Sequence, residues 1–129
     1  MLPILPAPVA AAYAAFPDAA QVLLARLRAL IFATADKIGA GPVEEALRWG
    51  EPAYLAPKGS TIRLGVARSG AAALFVNCRT TLIEDFKPVA PPGTRFEGTR
   101  AVLFAFDDPC DEAALALLIG RALTWHRKE

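Results

Sequence analysis

Apolar residues recur at helical spacing between Asp18 and Ile38 and at strand spacing from Thr61 onward, so the chain opens helical and then turns to sheet. Leu23, Leu27, Leu30, Ile31, Thr34 and Ile38 fall at i, i+4, i+7, i+8, i+11 and i+15, one face of an amphipathic helix. Pro17-Asp18 opens that helix, and Gly39 and Gly41 stop it. Ahead of it, Val9–Phe16 predicts a shorter helix, preceded by an arm that Pro3, Pro6 and Pro8 keep from being helical. Beyond it, Pro42 suits a first helical turn and Glu44 and Glu45 suit a helix N-terminus, which predicts a third, short helix ending at Gly50.

Strand patterns follow. Pro52–Ala56 reads as a first strand. Ile62, Leu64 and Val66 alternate with Thr61, Arg63 and Gly65, the period-two mark of a sheet with one buried face. Ser69-Gly70 turns that strand back into Ala71–Asn77. Thr81 through Glu84 matches a capping box and predicts a helix over Leu82–Phe86. Val89–Thr94 is a loop, and Arg95–Glu97 and Arg100–Phe106 pair around Gly98-Thr99. A last helix opens at Pro109, Asp111 and Glu112 and buries Leu115, Leu118, Ile119, Ala122 and Trp125. The sum is an α+β fold: an antiparallel sheet of about five strands with helices packed on one face. Residues 1–17 form an arm and short helix, and residues 18–129 one domain.

Composition narrows the function. Fourteen basic against thirteen acidic residues leave a net charge of +1, which gives no electrostatic case for nucleic acid or a membrane surface. Hydrophobic residues reach 54%, much of it alanine, but prolines interrupt the apolar N-terminus, so neither a signal peptide nor a membrane span is expected. Cys78 and Cys110 lack ligand spacing, which points to a reducing cytoplasm. His126 sits in a basic tail with Arg127 and Lys128. With no nucleophile, metal-protease or phosphate-loop motif present, an enzyme is not expected.

Glu45-Ala-Leu-Arg-Trp49-Gly50-Glu-Pro52-Ala-Tyr54 resembles the signature of the YdhG-like family of small bacterial proteins, a domain-of-unknown-function family. LRALIFATA, FVNCRTTL and the closing strand, Asp-Pro and helix agree with it, over roughly Asp18 to Lys128. The resemblance implies a frataxin-like fold, and for some members a role as iron chaperone in iron–sulfur cluster assembly. The residues give iron little support: Asp18 and Asp36 lie about five helical turns apart. Glu44, Glu45 and Glu51 form only a small group, and Asp107, Asp108, Asp111 and Glu112 are explained by helix capping. No cofactor is expected, with iron kept as an alternative.

Two features remain as candidate binding chemistry. Trp49 and Tyr54 offer an aromatic wall, with Glu45 one turn before Trp49 on the expected helix. Each motif residue also has a packing or turn role. Between Arg48 and Arg79, five basic residues stand against one acidic, Glu51. Arg63 points away from the buried face of its strand, and Asn77 and Arg79 lie where a strand gives way to a helix start. Solubilising an exposed face would also account for these arginines. The leading expectation is a non-catalytic binding domain using Glu45, Trp49, Tyr54, Arg63, Asn77 and Arg79 for a small anion or a protein partner. The alternatives are iron delivery and a homodimer formed through the open sheet face or the arm.

Overall fold

The computed structural model describes residues 2–127; Met1 of the arm and Lys128 of the basic tail lie outside the described residues. Helices α1 (Ala7–Ala15) and α2 (Asp18–Ile38) lead into strands β1 (Glu44–Arg48), β2 (Glu51–Leu55), β3 (Ile62–Val66) and β4 (Ala72–Phe75). Helix α3 (Leu82–Phe86) and a 3-10 turn, Lys87–Val89, precede β5 (Arg95–Glu97), β6 (Ala101–Phe104) and helix α4 (Glu112–Leu123). The strands form one antiparallel sheet in the order β1-β2-β3-β4-β6-β5. The fold is α+β as expected, with six strands rather than about five.

Helix periodicity accounts for the packing layer. Leu23, Leu27, Ile31 and Thr34 of α2 are buried, and so are Leu115, Leu118, Ile119 and Ala122 of α4. They meet Tyr54, Ile62, Leu64, Leu74, Val102 and Phe104 in one core, so all four helices cover one face of the sheet. Asp111 caps α4 by accepting the Ala114 N–H at 3.0 Å. The capping box before α3 does not form; the Thr81 hydroxyl donates to the Asp85 carboxylate instead. No described helix is long and apolar enough to cross a membrane.

The one element that differs in kind is β1, where a short helix was expected. Glu, Ala, Leu and Arg favour helices residue by residue, but a five-residue segment cannot repay the cost of helix nucleation. Trp49 and Gly50 both take positive φ, 52° and 75°, and so make the two-residue turn that folds a hairpin back on itself. The pairs Glu45↔Tyr54 and Leu47↔Pro52 follow. Pro52 has no N–H to give, and the second pair from a two-residue turn needs none.

Opposite the helices, the sheet face carries a second, thinner cluster of Ala67, Ala73, Phe75 and Ala101, with Leu103 against it. No described helix covers this side.

Candidate functional site

The β1–β2 hairpin separates the expected site residues, because alternate strand positions face opposite sides of the sheet. Glu45 and Tyr54 are cross-strand neighbours on the helix side. Trp49, at the hairpin tip, leans over the open side toward Arg63.

On the helix side, Arg28 descends from α2 and grips Glu45 through two hydrogen bonds, Nε to Oε2 at 2.6 Å and Nη2 to Oε1 at 2.8 Å. Their side chains are 6% and 5% exposed. Tyr54 donates to Glu45 at 2.8 Å, and the Tyr13 hydroxyl from α1 lies 2.6 Å from that of Tyr54. Arg28 also donates to the Pro3 carbonyl of the arm at 2.8 Å. The Phe32 ring lies 5.1 Å from the guanidinium carbon and meets Tyr54 edge to face.

Burial pushes the Tyr13 hydroxyl up to about 12 and also raises that of Tyr54, which faces both Tyr13 and the Glu45 charge. The hydrogen bond to Glu45 holds the Arg28 guanidinium more firmly protonated than usual. Every polar group of this cluster has a partner within the chain. It ties α1, α2, the arm and the hairpin together and engages Glu45 and Tyr54 on the helix side, apart from Trp49 and Arg63 on the open side.

On the open side, a cleft of about 390 Å³ is lined by Arg48, Trp49, Thr61, Arg63, Val76, Asn77, Cys78 and Arg100. The Arg63 guanidinium lies 5.2 Å from the Trp49 ring centre and 4.9 Å from that of Phe75. Glu51 pairs with Arg63. Its carboxylate lies over Gly65, in the space that a β-carbon there would take. Arg100 pairs with Glu97 at 2.8 Å, and Arg48 with Glu44 at 3.2 Å. Trp49 is 88% exposed, although an aromatic side chain at positive φ is a strained choice for a turn.

Asn77 closes the strand end: its side-chain oxygen accepts the Arg79 N–H at 2.9 Å, and its carbonyl accepts the Thr80 N–H and hydroxyl. Its amide NH₂ remains for the cleft. Arg79 does not line the cleft, because the turn that uses its N–H carries its side chain into solvent. The cleft therefore unites Trp49, Arg63 and Asn77 and excludes Glu45, Tyr54 and Arg79.

Residues that pattern reading passed over complete both sides. Arg28 sits within the buried α2 stripe between Leu24, Leu27 and Ile31, and a charge at that position was the available signal. Glu51, Phe75 and Arg100 join the open side only through strand pairing. Burial raises the Cys110 thiol, and the backbone N–H of His126 donates to the Lys58 carbonyl. Among the described residues, no group of three or more His, Cys, Asp or Glu side chains is placed to hold a metal ion.

No family model, curated protein or solved structure matches the chain.

Proposed function

We propose that this chain is a non-catalytic binding domain that receives a small organic anion in the open-face cleft. The carrying observation is the Arg63 guanidinium 5.2 Å from the Trp49 ring centre and 4.9 Å from that of Phe75, with Arg48, Arg100 and the Asn77 amide on the same cleft as Arg63 and Trp49. A volume of about 390 Å³ suits a small metabolite. Planar guanidinium groups suit a carboxylate or phosphate, and the exposed indole suits a flat conjugated part of the same molecule. The YdhG-like resemblance is the family reading that accompanies this proposal, and helices on one face of an antiparallel sheet are compatible with it. Two free thiols, one of them exposed at Cys78, support a reducing, cytoplasmic setting.

Thermal-shift titration with a panel of aromatic carboxylates and phosphorylated metabolites tests the proposal. At least one should stabilise the wild type, Arg63→Ala should abolish that shift, and Glu51→Gln should enlarge it by removing the competing carboxylate. No shift with any anion, or an undiminished shift in Arg63→Ala, would sink the proposal.

A further inference from the structure

Strand β1 is an edge of the sheet that its own chain leaves open. The pair flanking a two-residue turn is hydrogen-bonded, and bonded pairs then alternate. Arg48, Ala46 and Glu44 therefore bond to β2, while the backbone groups of Glu45 and Leu47 point outward. Among the described residues no other backbone group meets them. The Leu47 carbonyl takes only a 3.1 Å bond from the neighbouring Arg48 side chain. The opposite edge differs: β5 has three residues and follows Pro91-Pro92-Gly93, a short strand of the kind that discourages pairing.

Edges are commonly guarded by charges that repel a second strand. The charges of β1 do the reverse. An antiparallel copy related by a two-fold axis at Ala46 sets Glu44 opposite the second Arg48, and Arg48 opposite the second Glu44. The same register sets Glu45 opposite Leu47, the two residues with outward groups, so both exchange hydrogen bonds. It leaves Ala46 facing Ala46 at the non-bonded pair, where the strands come closest and a small side chain fits. Glu45 brings no unpaired charge to the seam, because Arg28 already holds it. The arm, bonded to Arg28 through Pro3, leaves Ile4 94% exposed.

We propose that a second copy of this chain is the partner of β1, joined edge to edge about Ala46 so that one continuous sheet runs through both copies. The interface is isologous: each Glu44–Arg48 contact occurs twice by symmetry.

Sedimentation equilibrium on the full chain tests this with three variants. The wild type should dimerise reversibly. Arg48→Glu should weaken that association by about tenfold or more, because like charges then oppose each other twice. The double variant Glu44→Arg/Arg48→Glu should restore it, since the swap rebuilds both pairs with reversed sign. Leu47→Pro removes an outward N–H that the monomer does not use; it should give a folded monomer. A wild type that stays monomeric at high micromolar concentration overturns the proposal. So does a dimer indifferent to Arg48→Glu, or a charge swap that fails to restore association.

Discussion

The two sides of the β1–β2 hairpin use the same chemistry to opposite ends. Each pairs an arginine with a glutamate among aromatic rings: Arg28 with Glu45 beside Phe32 and Tyr54, and Arg63 with Glu51 between Trp49 and Phe75. On the helix side the pair is nearly inaccessible, its hydrogen bonds lead to further buried groups, and its backbone is unstrained. On the open side the pair is about one-fifth exposed, and the adjoining tryptophan stands in solvent on a strained turn. An arginine–carboxylate pair is therefore no sign of a site in itself. What separates the two is access, because the arginines of the open side also have carboxylate partners in the chain but lie where a ligand can reach them.

The largest way to break this comparison is Glu45→Ala. It leaves the Arg28 cation buried with the Pro3 carbonyl as its one hydrogen-bond acceptor, and takes an acceptor from Tyr54. Removing one partner of a buried pair costs about 3–5 kcal/mol. Urea denaturation should show a loss of that size for Glu45→Ala. The same substitution at Glu51 should cost clearly less, about 1–2 kcal/mol, because that pair is partly open to water. Equal losses at the two positions would erase the distinction between a structural pair and an available one.

Alkaline titration sharpens it further. Tyr13 ionises at its ordinary value of 10.0 when unfolded and at about 12 when folded, because burial disfavours the phenolate. The folded state thus keeps a proton that the unfolded chain has released. The associated stability is complete below pH 10.0 and is lost as pH rises toward about 12. Two units correspond to about 2–3 kcal/mol. Stability measured against pH should fall more steeply over this interval in wild type than in Tyr13→Phe. Parallel curves would mean that the Tyr13–Tyr54 contact is open to water.

How much of this was legible in sequence depends on the range of the pairing. The α2 and α4 stripes and the bounds of β5 follow from local periodicity, which needs no tertiary information. Arg63 was legible because outward parity on an expected strand puts its charge on the uncovered face, and Asn77 because it ends the next expected strand; Trp49 was legible only as an aromatic of the motif, on an expected helix. Glu45 and Tyr54 went to the wrong side because the face of Glu45 depends on whether Glu44–Arg48 is helix or strand. Its residue-by-residue propensities favour helix, and the turn at Trp49-Gly50 overrules them. Phe75 and Arg100 were beyond reach for another reason. They meet only when β4 pairs with β6, a register fixed by the core and not by either segment alone.

The smallest effect bears most directly on function. Asn-Gly is the favoured pair for the positive-φ turn that Trp49-Gly50 now occupies, and a bulky residue there costs about 1–2 kcal/mol. Against that cost stands the contact with Arg63, about 0.5–1 kcal/mol for an exposed cation over a ring. Trp49→Asn should therefore leave the fold slightly more stable, by about 0.5–1 kcal/mol, while weakening any anion held in the cleft. That pairing of gain and loss is what a residue kept for binding produces. A residue kept for structure would lose stability on replacement, as Glu45 should. Chemical denaturation of Trp49→Asn beside the anion thermal-shift titration reads both quantities. A destabilised variant would return Trp49 to the role of structural anchor, and the open side would then resemble the closed one after all.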